Sequence, residues 1–376
     1  MKYSAFAITL ATLSTVFASP IARDADSKSG FLTIPVVRVH APNNSSVSHI
    51  AKRSTIPVSL SNQVYLYLAT FDLGTPEQSV TAQIDTGSSD LWVYGPNSNA
   101  PGASYDPSDS STYEYLSNDF SIEYVDGTEI NGDWVTDTVT IGSAAVTNQQ
   151  FAYTNAEASN GLNYGVFGIG FENDESTSSE YTNVPQNLKN QGFISQNAYS
   201  LYLDDIDANT GTLLFGGIDE AKYSGSMAVL PIESNSAFQV SVSVVGSSTQ
   251  GILDSGTSLT YLDSDTVEQI ANIYGATWDQ SQGAYILNSQ PSGNPLVYTF
   301  GNVEIQVGLD ELFIENEDGS YTLTILPNSE TQGINLLGDS TLRSAYVVYQ
   351  LDSNQIGIAQ AKYTSSSNIV PITGSL

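Results

Sequence analysis

The sequence repeats itself once, in a way that few folds can absorb. Residues 83–93 read QIDTGSSDLWV and residues 251–262 read GILDSGTSLTYL. Each sets an aspartate, preceded by apolar residues, on a short polar turn. Asp85 stands 83 residues before Gly168 in GVFGIG, and Asp254 stands 84 residues before Gly338 in NLLGDS. Both halves therefore carry an acidic turn and, one nearly constant interval later, a glycine behind apolar residues. A unit duplicated at this length predicts two similar lobes about a two-fold axis, with the equivalent turns meeting at that axis. A single Asp-Thr-Gly-Ser is an ordinary turn, since all four residues are turn formers. Turn propensity gives no reason for a second copy at a matched interval.

The segments between these turns are β-rich. Short runs such as QVYLYLATFDLG, GDWVTDTVTIG, FQVSVSVVG, AYVVYQL and QIGIAQA alternate with Gly, Asn, Asp and Ser clusters, the pattern of antiparallel sheets rather than of βαβ units. The best helical signal is residues 264–274, SDTVEQIANIY, with Ser264 or Asp265 as its cap. The serine- and acid-rich residues 173–182 are expected to form a surface loop.

The amino-terminal region differs in composition. Lys2 precedes an apolar run and Val16-Phe17-Ala18, which predicts a signal peptide over residues 1–18 cleaved after Ala18; the run is too short for a membrane anchor. Residues 19–53 carry five basic against two acidic side chains, hold both histidines, and end at Lys52-Arg53. The pair predicts a processing site that releases a basic propeptide. The mature chain then comprises residues 54–232 as an N-terminal lobe with Asp85 and residues 233–376 as a C-terminal lobe with Asp254. The only N-glycosylation sequons past the signal, at Asn43 and Asn44, fall in the propeptide.

Cleavage after Arg53 leaves 323 of the 376 residues, with four basic and 38 acidic side chains and neither histidine nor cysteine. That count removes Ser-His and Cys-His nucleophiles and His- or Cys-ligated metals from the catalytic menu. Asp and Glu remain to do acid–base work, and no metal or other cofactor is called for. The net charge of −30 disfavours nucleic acid and anionic membrane surfaces as partners and suits an acidic medium.

Two carboxylates about 3 Å apart repel by roughly 5 kcal/mol at an effective dielectric near 20, about four pKa units. The pair therefore holds one proton over the acid range. The ionised carboxylate can activate a water while its protonated partner polarises a carbonyl, which is amide hydrolysis without a covalent intermediate. Gly87 and Gly256 allow close backbone approach, and the hydroxyls of Ser88 and Thr257 are placed to bond the outer carboxylate oxygens.

These motifs, with YDPSDSSTY, LFGGID and LLGDSTLRSAYVVYQLDSNQIGIA, resemble the pepsin family of aspartic proteases, above all its secreted fungal, candidapepsin-like group. The likeness runs from about Ile56 to Tyr363. It implies a mainly β, bilobal fold with two pseudo-two-fold-related lobes, a cleft between them, and Asp85 and Asp254 as the catalytic pair that shares a proton. It implies that Thr86 and Ser255 cross-brace the two turns, serine standing where threonine is usual. The stretch IEYVDGTEINGDW resembles the family's flap hairpin, with Tyr124 as the flap tyrosine, Trp92 as its hydrogen-bond partner, and Asp126, Gly127 and Thr128 at the tip. Asp126 there is associated with acceptance of Lys or Arg before the scissile bond. Val125 replaces the usual glycine, and the family's common disulfides are absent.

The resemblance thus implies a secreted, monomeric endopeptidase that acts on polypeptides in acid and is sensitive to pepstatin-type inhibitors. Its own propeptide would serve as intramolecular inhibitor, Arg38 or Lys52 reaching the acidic cleft. The alternatives are an inactive pepsin-like binding or inhibitor protein, and a glycosidase with two carboxylates. The retained turns and flap tyrosine disfavour the first, and the duplicated turns the second.

Overall fold

A computed structural model describes residues 30–40, 65–98, 100, 103–125, 127–156 and 162–376. The proposed signal peptide, Lys52, Arg53 and Asp126 lie outside the described residues. The chain is mainly β, as the alternating runs predict, and is built on one 13-stranded sheet with a second sheet of seven strands and smaller ones of four and two.

The duplication is visible in the strand pairing. In the first half, β3 (Gln78–Asp85) lies parallel to β8 (Gly165–Gly168), with Asp85 opposite Gly168. β8 is antiparallel to β4 (Leu91–Tyr94), and β4 is parallel to β7 (Ala144–Thr154). In the second half, Ser247–Leu253 runs parallel to Leu336–Leu337, which is antiparallel to Thr260–Leu262, and that strand is parallel to Ile325–Pro327. Each acidic turn thus leaves the buried end of a strand whose parallel neighbour comes from the later glycine element. Those glycines are required sterically. A Cβ on Gly168 would lie 2.6 Å from the Asp90 nitrogen, and one on Gly338 would lie 2.1 Å from the Leu259 carbonyl oxygen.

The halves join in the large sheet. β9 (Ala198–Tyr202) pairs with Ala345–Gln350, and the rings of Tyr199 and Tyr349 stack across that seam with centroids 4.9 Å apart. β10 (Thr210–Phe215) continues the sheet outward to β1 (Leu32–His40), which lies between β10 and β2 (Tyr65–Leu73). Ile34 and Val36 of β1 are buried, and the core beneath is aliphatic and aromatic throughout.

One local detail departs from expectation. The helix Ser264–Tyr274 forms, but its cap is Asp263, whose carboxylate accepts from the Thr266 N–H at 2.9 Å. Three good capping residues stand in a row there, and only the first reaches back to the open N–H. Residues 173–182 form a surface loop as expected, with Asn173, Asp174, Ser178, Ser179 and Glu180 exposed, and Ser176 and Tyr181 anchor it to the buried Asp90. The loop after Trp92 is closed without cysteine by hydrogen bonds from Tyr105 N–H to the Tyr94 carbonyl (2.9 Å) and from Asn97 N–H to Asn155 Oδ1 (3.1 Å).

Candidate active site

Strand β3 ends in Ile84 and Asp85, and its counterpart ends at Leu253, with Asp254 the next residue. The buried apolar residue before each aspartate anchors the strand, so the next side chain emerges at the interface of the halves. Asp85 and Asp254 are 4% and 8% exposed, and each carboxyl acts on the protonation of the other.

Each carboxylate is held in the same way. Asp85 accepts from Gly87 N–H at 2.8 Å and from Ser88 Oγ at 2.5 Å; Asp254 accepts from Gly256 N–H at 2.8 Å and from Thr257 Oγ1 at 2.5 Å. The two glycines face each other across the axis. A Cβ on Gly87 would meet Asp254 Oδ1 at 2.6 Å, and one on Gly256 would meet Asp85 Oδ1 at 2.3 Å. Only glycine permits each turn to lie against the other's carboxylate.

The hydroxyls of Thr86 and Ser255 cross between the turns. Thr86 Oγ1 donates to the Leu253 carbonyl at 2.9 Å and accepts from Ser255 N–H at 2.9 Å; Ser255 Oγ donates to the Ile84 carbonyl at 3.1 Å and accepts from Thr86 N–H at 3.2 Å. Four buried backbone groups are satisfied by two hydroxyls. Gln83 adds an unsymmetrical strut, its amide donating to the Gly256 carbonyl at 3.1 Å. The repeat contains a hint of Gln83, which occupies the position of Ile252 in the second copy, though the strand pattern gives no reason to single it out.

Over the pair lies the hairpin of β5 (Glu114–Glu123) and β6 (Glu129–Ile141). Tyr124 N–H donates to the Thr128 carbonyl and Gly127 N–H to the Tyr124 carbonyl, with Gly127 at φ +76°. Buried Trp92 donates from Nε1 to the Tyr124 hydroxyl at 2.7 Å, tying the hairpin to β4. A cavity of about 100 Å³ remains, lined by both aspartates, Gly87, Gly256, Thr257, Tyr124 and several aliphatic side chains.

Arg38, a sequence candidate for blocking the dyad, does not line this cavity. It is part of β1 and buried, its guanidinium donating to the Ile206 carbonyl and its backbone N–H to the Asn209 carbonyl. Its charge opposes the upward shift of Asp339 rather than that of the catalytic pair. The strand's place inside the sheet puts this side chain in the interior.

Burial dominates the electrostatics. It raises Asp85 against the pull of Ser88 and Gly87, and with the neighbouring charge of Asp85 it pushes Asp254 up to about 7. Asp90 and Asp339 are likewise raised by burial, and Glu175 is pushed up to about 9. A carboxyl raised on folding keeps more protons in the native than in the unfolded state above pH 4, so its contribution is whole in acid and lost as pH rises through the folded value. The apparent Tm is therefore expected to fall by roughly 10 °C or more between pH 4 and pH 8. A scan in which Tm is level or rises over that interval overturns this account of the buried acids.

Comparison with known proteins agrees with the geometry. The family model described as eukaryotic aspartyl protease matches residues 66–361. The chain is 41% identical over 339 residues to "Secreted aspartic protease 8" of Candida albicans, covering 85% of this chain and 81% of that protein. It is 40% identical to "Candidapepsin" of Candida tropicalis, covering 85% of each chain. It is 38% identical to "Acid protease" of Saccharomycopsis fibuligera, over 83% of this chain and 85% of the other. The chain belongs to the eukaryotic aspartyl protease family.

Proposed function

We propose that this member of the aspartyl protease family is a secreted endopeptidase that hydrolyses proteins in acid through the pair Asp85 and Asp254. The observation that carries this reading is the two-fold arrangement of the carboxyls. Each is fixed by one N–H and one hydroxyl, and they lie so close that neither turn tolerates a Cβ. With one proton on the pair, the ionised carboxylate takes a proton from water as its oxygen attacks the peptide carbonyl, and the other donates to the carbonyl oxygen. Collapse of the tetrahedral species, with a proton delivered to the leaving nitrogen, yields acid and amine and returns the pair to its starting charge. The cross-bracing by Thr86 and Ser255 holds the pair rigid, so little reorganisation accompanies the reaction. Tyr124, Gly127 and Thr128 form the cover over the substrate, with Trp92 positioning the tyrosine.

The test is hydrolysis of a denatured globular protein from pH 3 to 7 by protein beginning at Ser54. Cleavage confined to acid and abolished by pepstatin is expected. A folded protein that cuts nothing at any pH returns the inactive, binding-protein reading to the front.

The same proposal includes export by the segment 1–18 and synthesis as a zymogen cleaved after Lys52-Arg53. Two observations support the zymogen. β1, from the propeptide, is hydrogen-bonded on both sides between β10 and β2, so the uncut chain gives this segment a firm seat. The tetrapeptide Thr-Ile-Pro-Val of residues 33–36 recurs at residues 55–58, just past the cut. Cleavage thus frees an amino terminus that repeats the sequence already seated in the sheet. In Arg53→Ala the secreted product should retain residues 19–53 and cleave at least about tenfold more slowly than the processed wild type. Equal rates would remove the inhibitory role.

A further inference from the structure

The two carboxyls of the pair are held alike, but their turns are not. Asp85 is held by Gly87 and Ser88, and Asp254 by Gly256 and Thr257, so in each turn one peptide group joins the two donors. The Gly256–Thr257 peptide has a partner from the other half of the chain: Gln83 Nε2 donates to the Gly256 carbonyl at 3.1 Å. At the matching place in the second copy stands Ile252, which has no hydrogen to offer the Gly87 carbonyl. The four bonds of Thr86 and Ser255 end on Ile84, Thr86, Leu253 and Ser255, all upstream of the residues that hold the carboxyls. Gln83 reaches a holding residue itself. It is 2% exposed, lies on β3 opposite Val166, and is flanked by the fully buried Ala82 and Ile84. It does not line the catalytic cavity, whereas Ile252 does. A buried amide is costly unless it is hydrogen-bonded, and isoleucine fills the equivalent place in the other half. Gly256 therefore meets three constraints at once. Its N–H holds Asp254, a Cβ on it would lie 2.3 Å from Asp85 Oδ1, and its carbonyl is tied to the strand that ends in Asp85.

We propose that Gln83 is a positioning residue for the reaction: by holding the Gly256–Thr257 peptide against the strand of Asp85, it fixes the distance between the two carboxyls. This inference rests on the endopeptidase reading. Without the bond the Gly256 carbonyl is left buried and unpaired, and the turn shifts to recover a partner. Asp254 follows, because both of its donors ride on the moving peptide. The carboxyls then part, and the shared proton and the attacking water lose their alignment. Gln83 bears no charge. The ionisable groups that act on the pair or feel it, Asp174, Asp339, Tyr199 and Tyr349, are not altered by its substitution. A changed pH profile therefore reports the geometry of the pair.

The experiment compares wild type with Gln83→Met, Gln83→Leu and Gln83→Glu, each expressed as the full chain and secreted. It measures kcat and KM on a quenched peptide from pH 3 to 7, with active sites counted by titration with pepstatin. Methionine keeps the length and lacks the donor, so kcat per active site should fall at least about tenfold at pH 4. KM should stay within about twofold, because Gln83 lines no part of the cavity. The alkaline limb should shift to lower pH, since carboxyls farther apart repel less. Gln83→Leu should act alike. Gln83→Glu, buried and protonated in acid, offers an O–H in place of the amide N–H. It should restore kcat at pH 3 to within about threefold of wild type, and lose it as the new carboxyl ionises. A glutamine that merely supports the strand would, when replaced by methionine, lower Tm and the number of titratable sites. In that case kcat per site and the alkaline limb stay as in wild type, and the proposal is overturned. A glutamate variant no faster than the methionine variant at pH 3 overturns it too. Should neither apolar variant fold, Gln83→Glu decides alone: a pH profile that superimposes on that of wild type ends the proposal. If wild type cleaves the peptide at no pH, the endopeptidase reading fails instead.

Discussion

Asp85→Asn and Asp254→Asn are each expected to lower kcat/KM by at least about 10⁴-fold at every pH while leaving the protein folded. The substitution keeps the size of the side chain and an oxygen for Gly87 N–H or Gly256 N–H, so the turns have no steric reason to move. It removes the group that takes up and returns the proton. Because the pair acts as a unit, the double variant should be scarcely worse than either single one. Stability should move in the opposite direction. Both carboxyls are raised by burial, so ionising them costs the native state at neutral pH, and a neutral amide is free of that cost. Each variant should therefore have a higher Tm than wild type at pH 7 and a similar one at pH 4. Activity within tenfold of wild type in either variant, measured by single-turnover cleavage, would remove the dyad from the chemistry.

Much of this site is legible in the sequence because it is written twice. The matched intervals from Asp85 to Gly168 and from Asp254 to Gly338 relate strand to parallel neighbour, and those pairs are adjacent in the fold. Local alternation places the strands, and the aspartate-bearing turns follow from their ends. What is not legible depends on partners distant in sequence. Nothing local marks Gln83 for the Gly256 carbonyl, Asp90 for Ser176 and Tyr181, or Arg38 for the Ile206 carbonyl. A basic residue in a basic segment reads as a surface charge or as an ion-pair donor to the cleft. Its burial follows only from β1 having neighbours on both sides, a non-local fact. The acid-rich stretch 173–182 is the surface loop that its composition suggests, but the half-buried side chains of Glu175 and Tyr181, which fasten it, carry no local mark.

Gly256→Ala is expected to lower kcat/KM by about 10²-fold or more without unfolding the protein. The new methyl would sit 2.3 Å from Asp85 Oδ1, far inside contact distance. That carboxylate cannot simply swing aside, because Gly87 N–H and Ser88 Oγ pin both its oxygens. The strain is therefore relieved by moving the turns apart, and the shared proton and the attacking water lose their alignment. Gly87→Ala should act alike through Asp254, less severely, since its methyl would lie 2.6 Å from Oδ1. A second consequence separates this cause from general damage. Carboxylates farther apart repel less, so the higher pKa of the pair drops and the alkaline limb of the pH–rate profile shifts to lower pH. Gly374→Ala places the same methyl where nothing lies within 4 Å and should change neither rate nor profile. Gly256→Ala with wild-type kcat/KM would mean that the turns have room to spare, and that the duplicated glycine serves the chain's bend rather than the meeting of the two carboxylates.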